Sequence, residues 1–175
     1  MYKNKNNSFD KYLKTQFEPA MRWAATTDGA IFIRDRIPTL FALLPNINDC
    51  LFAVYSVWVN DRCSYIGQSI RTVKRLIVHA WHMSQAPELY FGLKDSEITS
   101  IKVKLLTPPI LSESDRLNAE AAAITEHKPI LQPYYNIAGM RSDACLPRGK
   151  ARRDAMVAAG VISEEQENDD SSCSI

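Results

Sequence analysis

Residues 51–67 have the sequence LFAVYSVWVNDRCSYIG, and this stretch decides the predicted fold. Its first part, from Leu51 to Val59, is almost entirely apolar and rich in β-branched and aromatic residues, which is typical of a strand buried on both faces. Asn60-Asp61 is a turn signal, and Cys63 to Gly67 has the composition of a second strand. The stretch therefore predicts a β-hairpin with one tyrosine in each strand.

The segments after the hairpin alternate between helix and strand. Apolar residues recur at helical spacing between Ile70 and Met83, which predicts a helix. Residues 98–106 alternate apolar residues with Lys102 and Lys104, which predicts a half-exposed strand. A further helix is expected from Leu111 to His127, with Ser112 and Asp115 able to form a capping box. The order over residues 51–140 is thus strand, strand, helix, strand, helix.

The two ends of the chain are expected to differ from this central domain. Residues 1–50 predict a mainly helical extension without chemistry, with a helix from Ser8 to Phe17, a short strand from Ala30 to Ile33 and a helix over 38–44. Residues 141–175 predict a partly disordered tail. The tail is basic over residues 141–154, with a net charge of +3, and acidic over residues 163–175, with a net charge of −5.

The bulk properties are those of a cytoplasmic globular protein. Of the 175 residues, 46% are hydrophobic, and the formal net charge is +1. A chain-wide basic coat is excluded, but a local basic face is not. The four cysteines form no CxxC pair, so reduced thiols are expected. The N-terminus lacks the apolar core of a secretory signal, and no apolar run reaches membrane-spanning length, so no membrane partner is expected.

Several side chains invite a chemical interpretation, and each has an ordinary alternative. Glu120 lies on the apolar stripe of its helix among alanines, and a buried carboxylate needs a partner or a metal ion. It can equally be a solvated residue at the edge of the stripe. Arg75 and His79 share one helix flank and suit a phosphate and a proton transfer, or form a solvated basic face. Tyr55 and Tyr65 can simply be core residues.

The order and spacing of these residues are more specific than any one of them. The array Ala53-Val54-Tyr55, Tyr65-Ile66-Gly67, Arg75-x3-His79, Glu120 and Tyr135-Asn136-Ile137 resembles the GIY-YIG nuclease family. The resemblance covers Leu51 to Gly139, about half of the chain. One departure is Ala53, where the family motif has glycine.

The resemblance implies an α+β fold with a small three-stranded antiparallel β-sheet flanked by helices. It also implies a DNA endonuclease in which Glu120 binds one Mg2+ or Mn2+ and Arg75 stabilises the phosphate. Tyr55 or Tyr65 would take the proton from water, His79 would relay it, and Asn136 would hold the site geometry. The alternatives are a nucleic-acid-binding protein on the same fold that does not cut, and a structural domain.

Double-stranded DNA is the expected partner, and a homodimer is possible if both strands are cut. Phosphate contacts depend on basic side chains, which set affinity rather than sequence preference. The candidates are Arg71, Lys74, Lys102, Lys104, Arg148, Lys150, Arg152 and Arg153. The last four can equally belong to a solvated linker.

The hairpin allows one sharp geometric prediction. Tyr55 and Tyr65 are ten residues apart, so a regular hairpin with a two-residue turn would place them on opposite faces of the sheet. For both tyrosines to reach one phosphate, either the turn must have an odd number of residues, for instance Asn60-Asp61-Arg62, or one strand must bulge.

Overall fold

The structure is a computed structural model that describes residues 11–49, 51–132 and 149–163. Its centre is an antiparallel sheet of three strands in the order β2-β1-β3. The strands are β1 (Ala53–Val59), β2 (Arg62–Ser69) and β3 (Ile101–Leu105). The predicted α+β class, with a small antiparallel sheet flanked by helices, is confirmed.

Helices surround this sheet. A π-helical turn (Leu13–Phe17) leads into α1 (Glu18–Ala24), which is followed by α2 (Thr27–Arg36), α3 (Pro38–Phe41), α4 (Thr72–Gln85), α5 (Pro87–Phe91), α6 (Glu113–His127) and α7 (Lys150–Ala158). Short 3-10 turns lie at Leu44–Asn46 and Asp95–Glu97. Within the described ranges, no helix combines the length and the apolarity needed to cross a bilayer.

The two faces of the sheet are covered by different helices. On one face, Tyr55 and Val57 of β1 pack with Leu76 and Ile77 of α4. On the other face, Val54 of β1 packs with α6. Successive residues of a strand point to opposite faces, so this division follows from the apolar run of β1, which is buried on both sides as predicted.

The N-terminal residues differ from the prediction in two elements, of which the first is helix α1 (Glu18–Ala24), which was not predicted. The expected strand from Ala30 to Ile33 is wrong, because these residues belong to α2. The side chain of Thr26 accepts a hydrogen bond from the Gly29 amide at 3.1 Å and so caps the helix, which places the turn signal Asp28-Gly29 within its first turn. Ile33 is fully buried in the same core cluster as Val57, so this region contributes to the main core.

The C-terminal region also contains an element that the sequence analysis missed. Helix α7 occupies residues 150–158, where a solvated tail was expected. Met156 is fully buried in the main core, and this apolar anchor explains why the segment is helical and packed. Residues 141–148 and 164–175, which include the acidic stretch, lie outside the described residues.

Candidate functional site

A bulge in β2 brings the two hairpin tyrosines to the same face. The turn consists of Asn60 and Asp61, both with positive φ, as in the tight turns that suit a hairpin. The register of the two strands shifts between Val57 and Trp58. Trp58 pairs with Cys63, whereas Val57 pairs with Tyr65, and Ser64 is left as the extra residue. The side chain of Ser64 donates to the Val57 carbonyl oxygen at 2.9 Å. The bulge alternative of the geometric prediction is therefore confirmed.

Gly67 makes room for the ring of Tyr55. The two residues are register partners on the same face of the hairpin. A Cβ atom at position 67 would lie 2.7 Å from the Tyr55 hydroxyl and 2.8 Å from Cζ. Because this is too close for any real side chain, the glycine is required where the phenol crosses the neighbouring strand.

His79 lies between two phenols. Its Nε2 is 2.9 Å from the hydroxyl oxygen of Tyr55, and its Nδ1 is 2.7 Å from that of Tyr90 on α5. The ring of Tyr65 packs against the imidazole, with centroids 5.3 Å apart. His79 is 7% exposed and Tyr55 is 1% exposed, so these two side chains are buried, whereas Tyr65 and Tyr90 are partly exposed.

Arg75, one helical turn before His79, contacts the N-terminal region. Its Nη1 donates to the Tyr12 hydroxyl at 2.8 Å, and its guanidinium carbon lies 5.5 Å from the centre of the Tyr12 ring. Tyr12 therefore adds a contact to this group from a region in which no chemistry was expected. We call the group formed by Tyr12, Tyr55, Tyr65, Arg75, His79 and Tyr90 the tyrosine cluster.

Electrostatics within the tyrosine cluster keep Tyr55 neutral. Burial raises the pKa of Tyr55 well above its ordinary value, and the nearby Tyr65 adds to this, while the Arg75 guanidinium opposes it. Burial disfavours the charge of Arg75, but Tyr55 and Tyr12 outweigh that effect, and the pKa of Arg75 is raised. The cluster thus contains one permanent positive charge and a buried phenol that retains its proton.

Glu120 is carried by the helix on the other face of the sheet. It lies on α6, whose Ala123 and Ile124 pack with Val54 and Ile66 on the face opposite Tyr55. Glu120 is 1% exposed, so its predicted position on the buried stripe of the helix is confirmed. The structure therefore brings four of the predicted site residues together, namely Tyr55, Tyr65, Arg75 and His79, and places the helix of Glu120 across the sheet from them. Asn136 lies outside the described residues.

The predicted phosphate-binding residues fall into separate groups. Arg71 and Lys74 line a small cleft with Asp49 beside the first turn of α4, one turn before Arg75. Lys102 and Lys104 lie on the α6 face instead, where the ammonium of Lys104 sits 4.0 Å from the centre of the Trp58 ring. Lys102 pairs with Asp61 at 2.5 Å. The two strand lysines therefore do not share a surface with Arg75.

The basic residues near the C-terminus are mostly engaged within the fold. Arg153 forms a two-pronged ion pair with Glu97, with nitrogen–oxygen distances of 2.8 and 2.9 Å. Arg152 donates to the carbonyl oxygens of Leu89 and Tyr90 at the end of α5. These contacts hold α7 against the domain, so a solvated linker is the wrong description of them. Lys150 is exposed, and Arg148 lies outside the described residues.

Sequence reasoning missed Tyr12 and Tyr90. Neither belongs to the motif array, and each reaches the cluster through the packing of a short helical segment on α4. Comparisons with protein-family models, with curated proteins and with solved structures find no match to this chain.

Proposed function

We propose that this chain is a metal-dependent endonuclease that hydrolyses phosphodiester bonds in DNA. The single observation that carries the proposal is the convergence of Tyr55, Tyr65, Arg75 and His79 on one face of the sheet, which requires the bulge at Ser64. A structural domain has no need of a bulge that brings both phenols to the face that carries His79 and Arg75. The spacing of the same residues is what resembles the GIY-YIG nucleases.

Arg75 is suited to the phosphate. A guanidinium presents paired donors that match phosphate oxygens, and it remains charged at any physiological pH. In the transition state of hydrolysis the phosphate gathers negative charge, which a fixed cation stabilises. Arg75 is partly exposed, and a phosphate oxygen would compete with the Tyr12 hydroxyl for its donors.

Tyr65 is the better candidate to meet the attacking water. It is half-buried, whereas Tyr55 is almost fully enclosed and retains its proton because burial raises its pKa. A phenol accepts a proton near neutral pH only when a nearby cation stabilises its ionised form. In this proposal Tyr65 takes the proton from water, and Tyr55 acts as a neutral hydrogen-bonding group.

By the resemblance, Glu120 is the residue that would hold the cation, although its helix packs on the face of the sheet opposite the tyrosine cluster. Its carboxylate oxygens suit a hard ion such as Mg2+ or Mn2+. Among residues 11–49, 51–132 and 149–163, no three His, Cys, Asp or Glu side chains form a group able to hold a metal ion. Water and phosphate oxygens would therefore supply most of the ligands, as is common for Mg2+. When bound, such an ion neutralises charge on the phosphate.

Arg71 and Lys74 are suited to neighbouring DNA phosphates, since both lie at the start of the helix that carries Arg75. Such contacts would set the affinity and its salt dependence. One site cuts one strand at a time, so efficient double-strand cutting would involve a homodimer or two successive events.

A plasmid cleavage assay with Mg2+ or Mn2+, against EDTA, tests the proposal. Arg75→Ala should slow cutting by about 100- to 1000-fold, the loss typical of removing a group that stabilises transition-state charge. Lys104→Ala is the matched control, because it removes one positive charge from the opposite face and should cut like the wild type. Glu120→Gln tests the cation separately and should reduce cutting to the level seen with EDTA.

Each outcome has a distinct meaning. Cutting that needs both the metal and Arg75 supports the endonuclease. A gel shift without cutting under any metal condition would instead indicate a nucleic-acid-binding protein, and neither binding nor cutting would leave a structural domain. If Glu120→Gln cuts normally while Arg75→Ala does not, the cation is held elsewhere.

A further inference from the structure

We propose that Tyr90 is a positioning residue: its hydroxyl holds His79 in the tautomer with the proton on Nδ1, and through His79 and Tyr55 it orients Arg75. The tautomer is a property of the folded protein alone. The effect on cleavage rests on the proposed nuclease function.

The hydrogen-bond pattern of His79 forces its two phenol partners into opposite roles. Tyr55 contacts Nε2 at 2.9 Å, and Tyr90 contacts Nδ1 at 2.7 Å. A neutral imidazole has one nitrogen that donates and one that accepts, so one phenol must donate to the ring and the other must accept from it. A doubly protonated ring would bring a second positive charge next to Arg75 in an enclosed site, which is unfavourable.

Arg75 determines the direction of the hydrogen bonds that run from Tyr55 through His79 to Tyr90. Its guanidinium, which has only donors to offer, lies one helical turn before His79 and acts electrostatically on the Tyr55 hydroxyl that contacts His79. The hydroxyl hydrogen of Tyr55 then points away from Arg75, toward Nε2. With Nε2 accepting, Nδ1 carries the proton and donates to the Tyr90 oxygen. Tyr65 packs against the imidazole ring of His79, with the ring centroids 5.3 Å apart.

Tyr90 is anchored independently of His79. It lies on α5, where the adjacent Phe91 is fully buried in the main core. Arg152 of α7 donates to the carbonyl oxygen of Tyr90 itself. The fold therefore fixes the position of the Tyr90 hydroxyl at Nδ1, where it accepts the hydrogen bond from the proton that the direction set by Arg75 places on that nitrogen. Tyr90 thus restricts the orientation of His79, and His79 restricts that of the Tyr55 hydroxyl next to Arg75.

Nitrogen-15 NMR of the histidine side chains tests the tautomer directly. The chain has 3 histidines, so the signals can be assigned with single substitutions such as His82→Asn. In the wild type, His79 should show a protonated Nδ1 and an unprotonated Nε2. In Tyr90→Phe, which keeps the ring and loses the hydroxyl, a large part of the population should move its proton to Nε2. Tyr12→Phe removes a hydroxyl that contacts Arg75 but not His79, and should leave the tautomer unchanged.

A wild-type His79 with its proton on Nε2 would overturn the proposal, and so would a Tyr90→Phe spectrum identical to that of the wild type. If Tyr90→Phe does not fold, the wild-type spectrum alone shows which nitrogen of His79 carries the proton.

The cleavage readout separates this inference from the proposed function. Tyr90→Phe should lower kcat about tenfold and leave KM for DNA nearly unchanged, because misplacing a positioned group affects the transition state more than initial binding. If the wild type does not cut DNA but carries the His79 proton on Nδ1, the nuclease proposal is wrong and the tautomer inference stands. If the wild type cuts DNA and Tyr90→Phe has the same kcat, Tyr90 has no positioning role in cleavage.

Discussion

The two faces of the β1–β2 hairpin are formed by alternate residues of the same strands, yet they differ in chemistry. The α4 face carries Tyr55 and Tyr65, whose rings join His79 in a hydrogen-bonded cluster. The α6 face carries Val54 and Ile66, which pack on small and aliphatic side chains of α6. The exposed basic residues of the two sides differ as well, since Lys104 lies over Trp58 rather than beside Arg75.

This difference shows that a single extra residue decides on which face of the sheet the second phenol lies. Without the bulge at Ser64, the residue paired with Val57 would be Ser64, and Tyr65 would point toward α6. A buried phenol or imidazole is tolerated only where it has hydrogen-bond partners, and these exist on the α4 face. The predictions below ask whether the two faces differ in function as they do in composition.

The largest effect on stability is expected for Gly67→Ala. The new methyl group would meet the ring of Tyr55 at 2.7–2.8 Å, and this ring is buried and cannot easily move. We expect a loss of about 2–3 kcal/mol in the free energy of unfolding, measured by urea denaturation, together with loss of cutting. Ile66→Val, the neighbouring residue on the other face, should cost only about 0.5–1.5 kcal/mol and leave cutting intact. Equal costs for the two variants would show that the Tyr55 ring adapts freely.

A smaller effect is expected for Ser64→Ala. The substitution removes the hydrogen bond to the Val57 carbonyl that holds the bulge, at a cost of about 1 kcal/mol. Ser56→Ala is the matched control, since it removes the acceptor of the Trp58 indole, 2.8 Å away, on the α6 face. Thermal denaturation should show similar losses for both variants, but only Ser64→Ala should slow cleavage. Equal slowing would mean that the bulge has no special role.

The smallest effect concerns DNA binding by single lysines. Lys74→Ala removes a cation near Arg75 and should reduce the slope of log K against log salt by about 0.9, the value for one phosphate contact. Lys104→Ala, on the α6 face, should leave the slope unchanged. Fluorescence anisotropy over a salt series measures both slopes. A reduced slope for Lys104→Ala alone would place the DNA on the other face of the sheet.

Local patterns predicted much of the fold. The hairpin, the third strand and helices α4 and α6 follow from the period of their apolar residues, and the predicted cap at Ser112 is present. Predictions failed where a cap or a single anchor overrode the local pattern. Thr26 converted a turn signal into the start of α2, and Met156 drew a charged segment into the helix α7. The Thr26 cap is a local contact over three residues, whereas the burial of Met156 depends on tertiary contacts that no window of sequence contains.

The sequence by itself determined which residues of the central motif are polar, how they are spaced, and that the first strand is buried on both sides. It also showed that Tyr55 and Tyr65 can share a site only if the turn has an odd number of residues or one strand has a bulge. Only the tertiary structure decided between those two options, placed Tyr12 and Tyr90 on Arg75 and His79, and put Glu120 on a helix across the sheet. The physical reason is that spacing along a chain fixes the face of an element, whereas the partner of that face depends on how separate elements pack.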